Sequence, residues 1–127
     1  MAAHWTEGAG GEVNPDRKEA FRTIKIFASL DGATEWVIRK EKEPPLIIGT
    51  TARPREGGFH WIEAKRRILR EKKPVIFLFG TGSGLHEEVL GRCHIVLQPL
   101  SGGFGDYNHL SVRTAAGVVL DRFFGWR

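Results

Sequence analysis

Apolar positions along the chain follow two patterns in turn: short continuous apolar runs and apolar residues at helical spacing. Three short, mostly apolar runs fall at residues 46–48, 75–79 and 93–100, and segments with apolar residues at helical spacing lie before, between and after them. The run 75–79, VIFLF, has no polar alternation, which predicts a strand buried on both faces, as in a parallel sheet between helices. The resulting order α, α, β, α, β, α, β, α predicts an α/β fold with a mostly parallel sheet flanked by helices.

Helix start and stop signals surround these runs. Asn14 as a cap and Pro15 in the first turn predict a helix that apolar spacing continues to Ala28. Further helices are predicted for residues 31–42, 60–73, 85–91 and 110–124, and Gly125 ends the last one. The predicted apolar side of helix 60–73 comprises Trp61, Ile62, Ile68 and Leu69. The predicted apolar stripe of helix 110–124 comprises Val112, Ala116, Val119, Leu120 and Phe123.

Length and composition narrow the class of protein. The chain has 127 residues, 41% of them hydrophobic and 27% charged, which predicts one domain over residues 1–127 with an irregular, glycine-rich start at 1–13. A net charge of +4 is compatible with a polyanionic partner without requiring one. The lone Cys93 excludes an internal disulfide, and no signal peptide or membrane-length apolar run is visible. These features predict a cytoplasmic protein without a membrane partner.

Three loops follow the three predicted strands: GTTAR, FGTGSG and LQPLSGGFGDYNHLS. Ligands bind at the carboxyl edge of parallel sheets, so these loops are the candidate ligand site. The loop 80–86 has no lysine, which excludes a triphosphate-binding P-loop, and its G-x-G-x-G spacing fits a dinucleotide fingerprint poorly. Taken alone, its glycines also fit a plain turn from strand to helix. The five histidines are scattered and show no zinc spacing, which predicts no metal site.

The C-terminal half carries a more specific signal. The segment 74–125 resembles the knotted part of the SPOUT class of RNA methyltransferases, through the loop FGTGSG, the turn LQPL and the segment YNHLS. It is most similar to a bacterial subfamily of S-adenosylmethionine-dependent RNA methyltransferases that is related to, and sometimes fused with, tRNA (guanine-N1) methyltransferases. GGEVNPDRKEAF and GTTARP fit the same subfamily, so the resemblance covers nearly the whole chain.

The resemblance implies a fold and a cofactor. The fold is an α/β sheet whose C-terminal segment forms a deep trefoil knot, and its three loops together hold S-adenosylmethionine in a bent shape. The resemblance also implies a homodimer with the site near the subunit interface and the last helix helping to form it. The implied cofactor-binding residues are Thr50, Thr51, Ala52, Phe79, Gly80, Thr81, Gly82, Leu97, Pro99, Leu100, Asn108, His109, Leu110 and Ser111.

One feature departs from the family pattern. Family members carry a strand-helix-strand unit before the region that begins here at HWTEGAGG. The resemblance therefore predicts that this chain lacks a central strand, as a truncated product, a shortened start assignment or a reduced variant.

The candidates for catalysis and for RNA contact are less specific than those for cofactor binding. Candidate catalytic residues are Asp106 and His109, as bases, and Arg113, which could orient RNA. Candidate RNA-binding residues are Arg53, Arg55, Lys65, Arg66 and Arg70, although a basic helix face is also typical of plain solvation.

Three functions remain open from the sequence. The first is an S-adenosylmethionine-dependent RNA methyltransferase that acts on tRNA or rRNA. The second is an accessory or RNA-binding module that keeps the cofactor pocket but has little catalysis. The third, a generic nucleotide-binding α/β domain, is disfavoured by the missing phosphate-binding motifs.

Overall fold

The computed structural model of the chain describes residues 15–100 and 110–125. Within them the predicted order of five helices and three strands is confirmed. The chain divides into two compact units, Met1–Glu35 and Trp36–Arg127, and the second carries the sheet. The elements are α1 (Pro15–Arg22), α2 (Leu30–Glu41), β1 (Leu46–Gly49), α3 (Trp61–Glu71), β2 (Val75–Leu78), α4 (Glu87–Gly91), β3 (Ile95–Val96) and α5 (Val112–Phe124).

Helix α1 ends six residues earlier than the apolar spacing predicts. The hydroxyl of Thr23 donates to the carbonyl of Ala20 at 2.7 Å, and the amide of Ile24 donates to the carbonyl of Phe21 at 3.2 Å. These bonds to the third preceding residue close the last turn tightly. Beyond Arg22, Ile24 is 51% exposed and Phe27 is 38% exposed, so this part of the predicted apolar stripe is not buried. Spacing alone does not sustain a helix without such burial.

The sheet is parallel, in the order β2-β1-β3. Strand β1 is central and all four of its residues are buried, whereas the four residues of β2 are only half-buried. The prediction of two-sided burial for residues 75–79 is therefore wrong, because β2 has one neighbour in the described sheet while β1 has two. Burial on both faces is found instead in the shorter run LIIG, which forms β1.

Strand β3 is shorter than the predicted run 93–100. It pairs with β1 only at Ile95 and Val96. The chain then bonds to the loop before α3, since the amide of Phe59 donates to the carbonyl of Val96 and the amide of Gln98 donates to the carbonyl of Phe59, both at 2.8 Å. These bonds fix the loop that follows β3 at the carboxyl edge of the sheet.

The two faces of β1 carry different helices. Leu46 and Ile48 belong to the main apolar cluster, which also contains Ala64 of α3 and both Val119 and Phe123 of α5. Gly49 points the other way: a Cβ added there would lie 2.8 Å from the Sγ of Cys93 and 3.1 Å from Leu90 of α4. Helices α3 and α5 thus cover one face, and α4 covers the other, as right-handed crossovers to opposite sides of β1 require.

The apolar sides of two helices differ from the prediction. In α3, Trp61, Ala64 and Ile68 pack on the core, whereas Ile62 and Leu69 are exposed. Each lies one position beyond a core residue, about 100° around the helix. The predicted apolar side of α3 is therefore wrong for Ile62 and Leu69.

Helix α5 buries only part of its predicted apolar stripe. Val119 and Phe123 are buried, as predicted, and Phe123 meets Phe77 edge-on at a centroid distance of 5.2 Å. Val112 and Leu120, predicted on the same stripe, are both 46% exposed. Val112 lies on the same face as Val119 but in the first turn, and Leu120 lies about 100° around the helix from Val119. The helix ends at Gly125, as predicted. Among the described helices, none has the length and apolar character needed to cross a membrane.

The contact between Gly49 and α4 gives a stability prediction. We expect Gly49→Ala to lower the free energy of unfolding by about 1–3 kcal/mol, because the new methyl group would overlap Cys93 and crowd Leu90. In a Cys93→Ala background the sulfur is gone, so the cost of Gly49→Ala should fall. Urea unfolding of the two single variants and the double variant measures the coupling.

Gly117→Ala is the matched control, because a Cβ at Gly117 in α5 meets nothing within 4 Å. That change should be neutral or stabilising. An equal cost of Gly49→Ala in both backgrounds would contradict the close approach of the Cys93 sulfur to Gly49.

Candidate functional site

A pocket of about 620 Å³ lies at the carboxyl edge of the sheet. The loops after β1, β2 and β3 form it together with the first turns of α5. Parallel pairing places all three strand ends at this edge, so the loops that the sequence singled out converge there. A pocket of this volume is typical of small-molecule sites.

The loop after β2 is a tight turn built on two glycines. The amide of Gly84 donates to the carbonyl of Thr81 at 2.8 Å, and Gly84 has a φ of +80°, which disfavours other residues. A Cβ at Gly80 would lie 2.4 Å from the carbonyl carbon of Gly84 and 2.6 Å from the amide nitrogen of Leu85. The backbone is therefore folded back on itself at Gly80. Gly82, at the tip, is exposed, and a Cβ there would meet nothing within 4 Å.

The loop after β1 is joined to the end of β2. The hydroxyl of Thr50 donates to the carbonyl of Leu78 at 2.7 Å. The hydroxyl of Thr51 accepts from the amide of Arg53 at 3.1 Å, which turns the chain within the pocket wall. Thr50, Thr51 and Ala52 line the pocket together with Phe79, Gly80, Thr81 and Gly82.

The loop after β3 and the start of α5 supply an apolar wall. Leu97, Leu100, Leu110 and Ser111 line the pocket, and Ser111 also caps α5 by accepting from the amide of Thr114 at 3.2 Å. Pro99 was predicted with them, but it does not line the pocket. Asp106, Asn108 and His109 lie outside the described residues.

Sequence reasoning missed part of this wall. Val112, Ala115 and Val119 line the pocket from α5, and Leu90 lines it from α4. The apolar periodicity of residues 110–124 was the available signal, but it did not distinguish core positions from pocket positions. Only the convergence of the helix on the loops does so.

Three charged side chains line the described part of the pocket: Arg53, Arg55 and Glu87. A guanidinium nitrogen of Arg55 donates to a carboxylate oxygen of Glu87, which joins the loop after β1 to the first turn of α4. Arg55 is the more enclosed partner, with its side chain 29% exposed against 73% for Glu87. Glu87 was not predicted, because one of two successive glutamates at a helix start carries no sequence signal.

Cys93 follows α4 and is half-buried. Burial raises the pKa of its thiol above the ordinary value, and the positive charge of Arg55 acts in the opposite direction, since it favours the thiolate. The Sγ also donates to the carbonyl of Val89 at 3.4 Å, which holds the thiol against α4.

The predicted RNA-contact residues of α3 are placed away from the pocket lining. Arg66 and Arg70 are exposed, while the Nζ of Lys65 donates to the carbonyl of Arg122 at 3.4 Å. Arg67 bonds to Glu71 at 2.6 Å and thereby lowers the pKa of that carboxyl group. The candidate Arg113 is exposed in the first turn of α5 and does not line the pocket.

Metal binding finds no support in the described part of the chain. Across residues 15–100 and 110–125, no group of three or more His, Cys, Asp or Glu side chains could hold an ion. The described lining of the pocket combines apolar side chains, hydroxyl side chains and backbone with Arg53 and one ion pair.

Comparison with known proteins gives a consistent result. The model of a family described as SAM-dependent RNA methyltransferases matches residues 1–125. The chain is 43% identical over 125 residues to proteins named tRNA (guanine-N(1)-)-methyltransferase from Nitratidesulfovibrio vulgaris (strain Hildenborough) and from Oleidesulfovibrio alaskensis (strain G20). These alignments cover 98% of this chain but only 28% of each relative's length.

A solved structure has a similar fold. It is described as a probable methylase family protein from Haemophilus influenzae Rd KW20 and matches with a TM-score of 0.65 and 22% identity. The match covers 85% of this chain and 48% of that chain. It supports the α/β architecture with a small parallel sheet flanked by helices.

The position of Arg55 predicts the reactivity of Cys93. We expect the pH midpoint for alkylation of Cys93 by iodoacetamide to lie above that of the urea-unfolded chain, because burial disfavours the thiolate. Arg55→Gln should move this midpoint still higher, since the change removes a positive charge that stabilises the thiolate. Alkylation rates over a pH series, read by mass spectrometry, give the midpoints.

Arg70→Gln, on the exposed part of α3, is the control and should leave the midpoint unchanged. A midpoint that stays constant or falls in Arg55→Gln would show that the guanidinium does not act on the thiol.

Proposed function

Because the chain belongs to the family of SAM-dependent RNA methyltransferases, we propose that the pocket at the carboxyl edge of its sheet binds S-adenosylmethionine and that the chain methylates tRNA or rRNA. S-adenosylmethionine is the cofactor of this family. The observation that carries the proposal is the convergence of three loops on one pocket of about 620 Å³.

The residues that line this pocket fit the cofactor. An adenine ring is flat and apolar with polar edges, which suits leucine and valine side chains beside exposed backbone amides and carbonyls. The turn at Gly80 has no room for a Cβ, so its backbone groups are not covered by a side chain of that residue. Proposed cofactor contacts are Thr50, Thr51, Ala52, Phe79, Gly80, Thr81, Gly82, Leu97, Leu100, Leu110 and Ser111, with Asn108 and His109 added from the sequence.

Catalysis requires alignment and, where the nucleophile carries a proton, a base. When bound, S-adenosylmethionine supplies a methyl group on a positively charged sulfonium for in-line transfer to an RNA atom. Asp106 or His109 is proposed to accept the proton. Arg113 is proposed to orient the RNA from beside the pocket.

RNA contact is proposed for Arg53, which lies at the pocket, and for Lys65, Arg66 and Arg70 of α3. The net charge of +4 supports attraction of a polyanion. Within α3, Arg66 and Arg70 are the better candidates because both are exposed, whereas Lys65 also bonds to a carbonyl of α5.

Three further features are proposed from the SPOUT resemblance. They are a trefoil knot in the C-terminal segment, a homodimer that uses α5, and a cytoplasmic location. Exposed apolar residues of α5 outside its core-facing stripe support the homodimer, since Leu120 and Phe124 are 46% and 61% exposed. Such side chains suit a second packing surface on the helix.

Cofactor binding tests the proposed function. In titration calorimetry we expect the wild-type chain to bind S-adenosylmethionine and not ATP. Gly80→Ala should weaken binding of S-adenosylmethionine about tenfold or more, because its methyl group would overlap the backbone at Gly84 and Leu85 and open the turn. Transfer of labelled methyl groups to total RNA reports the reaction.

Gly91→Ala is the matched control, since a Cβ at Gly91 meets nothing within 4 Å and the residue does not line the pocket. Binding of ATP without binding of S-adenosylmethionine would contradict the proposed cofactor. Cofactor binding without methyl transfer would instead favour an accessory module.

Oligomeric state tests the role of α5. We expect the wild-type chain to be a dimer in light scattering coupled to size exclusion, and Leu120→Glu to make it monomeric, because the charge would be buried in the interface. Leu69→Glu introduces the same charge on the exposed face of α3 and should leave the dimer intact. A Leu120→Glu variant that stays dimeric would exclude α5 from the interface.

A further inference from the structure

Two of the three charged side chains in the described part of the pocket form an ion pair. Arg55 and Glu87 meet at the first turn of α4. Apolar side chains of α5 also line the pocket: Val112, Ala115 and Val119. Because α4 and α5 cover opposite faces of the sheet, the ion pair and these side chains reach the pocket from opposite sides of the carboxyl edge.

The ion pair has spare bonding capacity on both partners. One Nη1 of Arg55 donates to one oxygen of Glu87, whereas a guanidinium carries five N–H donors and a carboxylate has two acceptor oxygens. Glu87 is 73% exposed, so its second oxygen can accept from a ligand without leaving Arg55. The pair can therefore donate hydrogen bonds to a ligand through Arg55 and accept them through Glu87.

We propose that Arg55 and Glu87 form the subsite for the α-amino-acid group of the cofactor, an inference that rests on the proposed function. The carboxylate of the methionine moiety binds the guanidinium of Arg55, and its ammonium group binds the carboxylate of Glu87. Two opposite charges on the ligand then meet two opposite charges on the protein, and the apolar side chains of α5 are left for adenine.

This assignment moves Arg55 from RNA contact, where the sequence placed it, to cofactor contact. An RNA phosphate at Arg55 would lie beside the carboxylate of Glu87 and be repelled by it. A zwitterion meets no such repulsion, because its ammonium group faces the carboxylate. The neutral pair is also easier to desolvate than a lone guanidinium.

Two ligands separate this subsite from the rest of the pocket. S-adenosylhomocysteine carries the zwitterionic amino-acid group, whereas 5′-methylthioadenosine keeps the adenosine and the thioether but lacks that group. We expect Arg55→Gln and Glu87→Gln each to raise the Kd of S-adenosylhomocysteine about tenfold or more, and to change the Kd of 5′-methylthioadenosine less than about twofold. Titration calorimetry measures both constants.

Two control variants match these changes. Glu88→Gln removes the neighbouring exposed carboxylate on α4, and Arg39→Gln removes an exposed guanidinium on α2, so both should bind the two ligands as the wild type does. Thermal unfolding of each variant shows that it is folded. Equal weakening of both ligands in Arg55→Gln, or no weakening of either, would overturn the subsite.

The proposed function fails in a different way. If the wild-type chain binds neither S-adenosylhomocysteine nor 5′-methylthioadenosine, the pocket does not hold the cofactor at all, and the subsite falls with it. If the wild type binds both and only the selectivity of the variants disagrees, the cofactor assignment stands and the subsite alone is wrong.

Discussion

Parallel pairing of β1 with both of its neighbours is the constraint from which the rest of the structure follows. It buries all four residues of β1, and it brings the carboxyl ends of β1, β2 and β3 to one edge. The loops that leave those ends therefore lie close together. Their bonds, from Thr50 to the carbonyl of Leu78 and from Gln98 to Phe59, then fix the spacing of the pocket walls.

The two faces of β1 impose different packing rules. On the side of α3 and α5, large residues such as Ile48 and Phe123 fill the space between sheet and helices. On the side of α4, the helix approaches so closely that position 49 has no room for a side chain. This asymmetry places the first turn of α4, with Glu87, over the end of β1, where it meets Arg55.

Electrostatics within the pocket is local. One ion pair joins the loop after β1 to α4, burial raises the pKa of the Cys93 thiol, and the guanidinium of Arg55 opposes that effect. The remaining wall combines apolar and hydroxyl side chains, backbone and Arg53. A ligand with one flat apolar part and one zwitterionic part therefore matches the pocket better than a polyphosphate, which agrees with the missing P-loop lysine.

Local patterns determined the number, order and kind of the elements, since helical spacing, buried runs and glycine or proline boundaries depend on a few neighbouring residues. The same patterns singled out GTTAR, FGTGSG and the leucines of LQPL, which the fold brings together. Tertiary structure alone decided which strand is central, where α1 ends, and which face of α5 is buried, because each depends on what packs against it. It also decided that Arg55 meets Glu87: the two lie 32 positions apart in sequence, and only the approach of α4 to the end of β1 makes them neighbours.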